Sequence, residues 1–550
     1  MKKLLLSVIA IIVSVTLLLT GCGGDETTTA TATTTATTTA TTTATTTATT
    51  TATTTPTTTA TMTTTTTTAT ATPTADADMY GGIYHYPLNV APASPLGYPI
   101  ETNPVEGLVA SCALERLILS GDAGIQPRLA TSWDIDVPAK TITLHLRQGV
   151  KFHDGSDFNA EVVKWNYDLQ MEAGRARNWV SVDVIDDYTI KITLEVYQNT
   201  SLTQVGGFPI ASKAAFDKNG IDWARENPVG TGPFVFVEHE RGTRVYFEKN
   251  ENYWDPGKPY LDGVEFIIIS DITVRNLAFK RGDIHEFTAA GLDAQELVQL
   301  GFPYHQRTGG TFVLVPDSAN PDSPFAKLKV RQAVSYAIDR ESLAENLGYG
   351  FARPAYQIFP GFEMAVVPDL VKTPYDPDMA RQLLDDAGYP DGFETNIYSQ
   401  GYAVPANWVT AVAAMLTEVG ITTTPNFPDS GKYSEYRFGS WSDSLLAQGF
   451  GNFDNLNSLW GFYFGTTAFL SRENPANFVA ASEASLASPE VDPELIQACI
   501  RIISEELMVI PYLEETVMIF QVPGAHNAGL DIATQVQFWS HIAWLEPEAR

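Results

Sequence analysis

Cysteine is scarce: three thiols in 550 residues exclude a disulfide-stapled scaffold. Basic side chains are few as well, with 34 Lys and Arg against 64 Asp and Glu and a formal charge of −30. A chain this acidic repels phosphate backbones, which excludes nucleic acid as a partner. The charge bears on solubility and steering and says nothing about fold. Histidines number eight and are scattered, at positions 85, 145, 153, 239, 285, 305, 526 and 541, with no HxxxH or HxH pair. No metal site and no cofactor are therefore expected. There is no Gly-x-Ser-x-Gly elbow and no glycine-rich phosphate loop ending in Lys-Ser/Thr, so no catalytic residue is assigned.

What is present begins with an address. Met1-Lys2-Lys3 is a short positive segment, and Leu4 to Leu19 is apolar except for Ser7, Ser14 and Thr16. That run is shorter than the roughly 20 residues of a spanning helix. With Leu19-Thr20-Gly21-Cys22 directly behind it, residues 1–21 read as a signal peptide. The ending resembles the lipobox of bacterial lipoproteins, which implies a diacylglyceryl group on Cys22 and cleavage just before it. An uncleaved anchor and an ordinary signal peptide are the alternatives. Thr27 to Ala75 is almost wholly Thr and Ala. Such a segment lacks the apolar surface to offset its ordering entropy, so residues 22–78 read as a lipidated N-terminus and a disordered tether. Some 50 flexible residues span roughly 40 Å, enough to lift a body off a lipid surface.

From Met79 the composition is globular to Arg550. Thr141 to Leu146 and Tyr188 to Leu194 alternate with period two, as half-buried strands do. Glu265 to Ile269 is a continuous apolar run, expected to be a strand buried on both faces. Val330, Val334, Ala337 and Ile338 fall on one face of a helix. Asp376-Pro377 reads as a cap and first helical position, followed by a stripe of Met379, Leu383, Leu384 and Ala387 closed by Gly388. Trp408, Val412, Met415, Leu416 and Val419 form another stripe, ended by Gly420. Asn159 is expected to cap a helix with Val162, Trp165 and Leu169 inward, and Gly230 and Gly232 to permit a tight turn. Arg331, Asp339 and Arg340 are expected on a salt-bridged surface. Helices interspersed with strands indicate an α/β or α+β body.

Several segments, in order, carry a resemblance. They are Gln126-Pro127-Arg128-Leu129-Ala130-Thr131-Ser132-Trp133, Leu144 through Gly155, Pro228-Val229-Gly230-Thr231-Gly232-Pro233-Phe234, Asn252-Tyr253-Trp254, Lys329 through Arg340, and Tyr375 through Phe393. Together they resemble the extracytoplasmic solute-binding proteins of family 5, the peptide- and nickel-type receptors of ABC importers. The resemblance implies a two-lobed type II periplasmic-binding-protein fold of the large, cluster C-like kind. Lobe I would span 79–314 with an extra subdomain at about 119–250, lobe II 315–510, and a return segment 511–550 would complete lobe I. It implies a monomeric, non-enzymatic receptor that closes on an oligopeptide or similar polar solute and hands it to a membrane permease, outside the cytoplasm and anchored by lipid on Cys22. A nickel-chelate ligand stays open, since such relatives can use few protein ligands.

The aromatic-rich stretch from Tyr433 to Phe464 is where the family lines its cleft, and it offers Trp441, Phe450 and Phe453 as ligand contacts. Aromatic walls supply large contact area at low entropy cost; ordinary core is the alternative. Peptide receptors of this kind carry an aspartate there for the ligand α-ammonium. Here Asn452 takes that place, with Asp454 two residues on, and an amide offers no counter-charge. Tyr84 and Tyr86 would border the cleft from the first lobe. Cys112 and Cys499 are expected as buried free thiols. A tethered extracellular hydrolase and a surface adhesin are the competing functions. Replacing Cys22 by Ser should release the protein from membranes into the soluble fraction; retention of Cys22→Ser in the membrane pellet would refute lipidation.

Overall fold

The computed structural model describes residues 77–93, 95–102, 104–121, 124–400, 404–451, 456–465, 469–527 and 540–550. Cys22 and the Thr/Ala segment lie outside them.

Two antiparallel strands, Tyr304–Pro316 and Ile510–Gln521, organise the body. On one side of them lies a four-stranded sheet ordered Ile83–Leu88, Gly263–Ile268, Arg244–Lys249 and Phe234–Glu240, whose first pair is parallel. Its core gathers Tyr84, Phe247, Phe266 and Phe287 with Phe520 and Leu545 from the far end of the chain. Beside it stands a separate antiparallel sheet of Ala130–Asp136, Thr141–Leu146, Thr189–Leu194 and Trp179–Asp186. Ile142, Leu144, Ile190 and Ile192 share one apolar cluster with Val163 and Tyr167 of the helix Ala160–Glu172. Strict alternation along these strands reflects a sheet covered on one face and wet on the other.

Across the two long strands the pattern changes. Residues Thr311 to Pro316 and Leu445 to Gln448 are buried without alternation, because apolar clusters cover both faces of a seven-stranded mixed sheet. Phe312 and Leu314 point to the cluster holding the helices Leu328–Ala337 and Ala406–Glu418. Val313 and Val315 point to the opposite one, with Ile496 and Ile500 of the helix Pro493–Glu505. Within the described residues the chain passes between the two sides only along Tyr304–Pro316 and Ile510–Gln521. Their pairing is interrupted midway: Tyr304 to Thr308 pair with Thr516 to Phe520, Thr311 to Leu314 with Ile510 to Glu514, and the register shifts between. Gly309 and Gly310 occupy the shift. A Cβ on the first would lie 2.7 Å from Val517 Cγ2, and on the second 2.6 Å from the Phe450 carbonyl oxygen.

Several expectations from periodicity are met. Asn159 Oδ1 accepts from the Val162 amide at 3.1 Å, and Asp376 Oδ1 from the Met379 amide at 2.9 Å with Pro377 behind it. Gly388 and Gly420 end their helices with φ of +89° and +103°. Other expectations need correction. The helix after Asn159 buries Val163, Asn166, Tyr167 and Gln170, one position round from the expected stripe, because it faces both the sheet and the Ala211 carbonyl that Asn166 binds. Met379 is exposed; Ala380 and Leu384 carry that face. Ile267 and Ile268 are only partly buried. Gly230 and Gly232 do not take positive φ. They are small because backbone crosses backbone there: a Cβ would meet the Ala113 oxygen at 2.0 Å and the Cys112 oxygen at 2.4 Å.

The largest correction concerns arginine. Arg331 and Arg340 are buried, not surface residues. Arg331 donates to the carbonyls of Phe325, Ala326 and Glu506 at 2.8–3.1 Å. Arg340 donates to those of Ser335, Ile338, Ala355 and Pro511 at 2.9–3.3 Å, and so ties its helix to the start of the returning strand. The planar fork of guanidinium donors satisfies backbone acceptors that no strand or helix reaches. Arg340→Ala should cost about 3 kcal/mol in urea denaturation, since it strands several buried carbonyls. Arg381→Ala, whose side chain is half exposed and paired to an exposed Asp378, should change stability by less than ~0.5 kcal/mol.

Candidate functional site

The alternating segment Ile83–Leu88 turns Tyr84, Tyr86 and Leu88 inward. Both tyrosines converge on Glu286, the first residue of the strand Glu286–Ala289. The Tyr84 hydroxyl donates to Glu286 Oε2 at 3.2 Å and also meets Gln521 on the returning strand. Burial raises the Glu286 carboxyl to about 8, against the opposing pull of the two tyrosine hydroxyls and of Arg307 on the outgoing strand. This cluster sits where both long strands leave the first side. The next contacts along them are those of Glu514, which is buried, paired to Arg353, and accepts from the Gly361 amide at 2.9 Å.

Trp441 and Phe450 lie on the other side. Phe450 is fully buried and stacked on Tyr463, ring centroids 4.0 Å apart and planes within 13°. Trp441 packs edge-on to Phe469, which also touches Phe450. These are contacts of a packed core, held within the same apolar cluster. In the same stretch the solvent-facing rings are those of Phe438 and Phe462, on either side of the Arg437 guanidinium at 5.1 and 5.3 Å. Asn452, Phe453 and Asp454 lie outside the described residues; the strand before them ends at Gly451, paired with Gly310 of the crossing. The tyrosine pair and the Trp441–Phe450 pair thus occupy opposite sides of the crossing strands.

The two sides also touch away from the strands. The Asn199 amide donates to the Leu486 oxygen at 2.9 Å, its side chain donates to the Ser485 oxygen at 2.8 Å, and its Oδ1 accepts from Asn457 at 3.1 Å. Tyr197 donates to the Pro489 oxygen at 3.2 Å. Next to this seam opens a cavity of about 380 Å³. Its wall takes Arg116, Arg175, Arg177, Trp179 and Phe208 from the first side and Ser458 from the second. Periodicity did not single out these residues. The one signal was the Arg175-x-Arg177 pair close before Trp179 in an acidic chain, and a basic pair after a helix is usually a solvated cap. Among the described residues no cluster of three or more His, Cys, Asp or Glu is placed to hold a metal, and no helix is long and apolar enough to cross a membrane. Cys112 and Cys499 are free and buried, and burial lifts both thiols to about 12.

Three of the six motif segments noted in the sequence meet at Glu115. Its carboxylate is buried and pairs with Arg128 at 3.0 Å. It also accepts from Thr231, Tyr253 and Trp254 at 2.8, 2.8 and 2.7 Å. These residues join distant segments into one frame and do not line the cavity beside the Asn199 seam.

Comparison with known proteins follows the same outline. The family model for bacterial extracellular solute-binding proteins, family 5 Middle, matches residues 124–469. Heme-binding protein A of Haemophilus influenzae is 29% identical over 368 residues, 60% of this chain and 66% of that protein. Glutathione-binding protein GsiB of Escherichia coli is 30% identical over 316 residues, 55% of this chain and 61% of that protein. The chain therefore matches less than two thirds of the length of these curated relatives. Among solved structures, DppA from Helicobacter pylori in complex with the peptide STSA aligns with a TM-score of 0.72 at 22% identity, covering 85% of this chain and 99% of that one. NikA from Brucella suis in complex with Fe(III)-EDTA aligns at 0.71 and 21%. At such identity the likeness establishes the fold: α/β, two-lobed, of the type II periplasmic-binding kind.

The Glu286 cluster generates a pH prediction. The folded protein holds a proton there up to about pH 8, whereas an unfolded glutamate releases it near 4.3. The stability this confers is complete below the unfolded value and is lost as pH rises through about 8. Glu515, which burial raises to about 7, adds a slope of the same sign, so the informative quantity is the difference between variants. Between pH 5 and 9, wild type should lose on the order of a few kcal/mol relative to Glu286→Gln in urea denaturation. Parallel pH profiles would show that Glu286 does not hold that proton.

Proposed function

The chain belongs to the bacterial extracellular solute-binding proteins of family 5, and from that premise we propose that it is the receptor of an ABC importer. It captures an oligopeptide or similar polar solute between its lobes and delivers the solute unchanged to a membrane permease. Lipid on Cys22 holds it outside the cytoplasm at the membrane, with the Thr/Ala segment as tether, and it acts as a monomer. The lobes run over 79–314 and 315–510, with 511–550 returning to the first and the sheet within 119–250 as its extra subdomain.

The observation that carries this reading is the crossing: two strands with a register shift at Gly309 and Gly310 separate the two sets of cores. A pair of strands is a compact hinge, since a few φ/ψ changes rotate one core against the other without disturbing either. The Asn199 seam closes the far edge. A solute that touches both sides favours the closed state by no more than its differential affinity for it. Of the contacts expected from the sequence, Tyr84 and Tyr86 are buried against Glu286 and Trp441 and Phe450 are packed in the second core, so Asn452, Phe453 and Asp454 remain the candidates on the second lobe. Relatives are named for glutathione and heme, and DppA holds a peptide. With Asn452 in place of an acid, a free peptide N-terminus loses its counter-charge, so blocked or acidic peptides and other polar solutes suit this chain better.

Thermal-shift screening of the intact chain against a broad solute library should give stabilisation by one chemical class, growing with concentration by linkage. The stabilising solute should be recovered chemically unchanged; its cleavage would instead establish a hydrolase. Asn199→Ala removes side-chain bonds across the seam and should weaken binding about tenfold, at ~0.5–1.5 kcal/mol per bond. Unaltered affinity would mean that closure does not run through this seam.

A further inference from the structure

The lining of the cavity beside the Asn199 seam is opposite in charge to the chain as a whole. Acidic side chains outnumber basic ones nearly two to one in the chain, yet this wall holds three arginines and no aspartate or glutamate. Neither Arg175 nor Arg177 makes an ion pair among the described residues, although exposed arginines elsewhere in the body, such as Arg241, Arg381 and Arg501, each hold one. Arg177 Nε donates to the Gly174 oxygen at 3.2 Å, which fixes the side chain and leaves its terminal nitrogens for other partners. Trp179, buried next to them and edge-on to Phe208, gives the pocket an apolar floor. Such a wall concentrates positive potential in a concave, partly apolar space, where it attracts anions and repels cations. Guanidinium forks match carboxylate and phosphate oxygens two at a time.

We propose that this cavity is an anion subsite and that the solute is a small molecule bearing two or more oxyanion groups. The proposal rests on the receptor reading above and specifies its ligand class. Arg175 and Arg177 bind the oxyanions, Arg116 of the same lining supplies a third charge, and Ser458 brings the second lobe onto the ligand. The volume lies near the lower end for small-molecule pockets, roughly 300–1,000 Å³, which fits a polycarboxylate, a phosphorylated metabolite or a short acidic peptide and excludes a long one. The competing structural account is that Arg175 and Arg177 merely complement the carboxyl end of the helix Ala160–Glu172. That account predicts an effect on stability and none on solute affinity.

The test is calorimetric titration of the intact chain with citrate, glutathione, fructose 1,6-bisphosphate, raffinose and the dipeptide Lys-Lys, repeated with Arg175→Gln/Arg177→Gln. At least one of the oxyanion probes should bind, citrate and fructose 1,6-bisphosphate telling carboxylate from phosphate. Its affinity should fall with added salt, and the double variant should lose about 100-fold, roughly tenfold per charge. Arg381→Gln should bind as wild type. Equal affinity in the double variant, or tight binding of raffinose or Lys-Lys with none of the oxyanions, overturns the proposal while leaving a solute receptor. If no oxyanion probe binds the proposal also fails, and if the broad library gives no stabilisation either, the receptor reading falls with it.

Discussion

Everything in this body depends on two strands that cross from one set of cores to the other and back. Tyr304–Pro316 and Ile510–Gln521 pair along most of their length, so the crossing is a piece of sheet and not a loose linker. Their register shifts between Phe312 and Val313 and is broken between Thr308 and Thr311, where two glycines admit the Phe450 carbonyl and the Val517 side chain. On either side of that break the strands are pinned. Glu286 and its tyrosines hold them on one side, and Arg353 with Glu514 and Arg340 with the Pro511 carbonyl on the other. The few residues between these contacts are where the proposed hinge would bend.

Arginine does two different jobs here, and burial separates them. Arg128, Arg331 and Arg340 are enclosed and held by protein acceptors: the Glu115 carboxylate and the Tyr253 hydroxyl for the first, mainly backbone carbonyls for the others. They hold segments together. Arg175 and Arg177 stand at a cavity, and their charge is not matched by a described acid. In a chain of net charge −30, a local positive field on a concave wall does not follow from composition; it is built by the turn that ends one helix and starts one strand.

Much of the scaffold was legible from residue pattern. Period-two alternation placed Thr141–Leu146 and Thr189–Leu194, and capping chemistry placed the helices starting after Asn159 and Asp376, because these features depend on neighbours in sequence. The motif residues Arg128, Thr231, Tyr253 and Trp254 were recognisable as a set, but their common purpose was not. They converge on Glu115, a residue outside every recognised motif, and only folding brings them there. Aromatic content in Tyr433 to Phe464 was equally visible. Which rings would be packed and which solvated was not: Phe450 is fully enclosed while Phe438 and Phe462 face solvent. A ring's hydrophobicity is the same in either setting, and its neighbours from the strand Tyr304–Pro316 and the helix Ser458–Tyr463 decide.

The sequence by itself carried the class of fold, several of the strands and helices, and the family, since each rests on local pattern or on motifs kept in order. Tertiary structure alone decided where arginines are consumed and where they remain available, why Gly230 and Gly232 must be small, and which surface forms a cavity. The reason is common to all three. Each is set by what lies opposite a residue in space, and a chain of this length brings together segments tens to hundreds of residues apart.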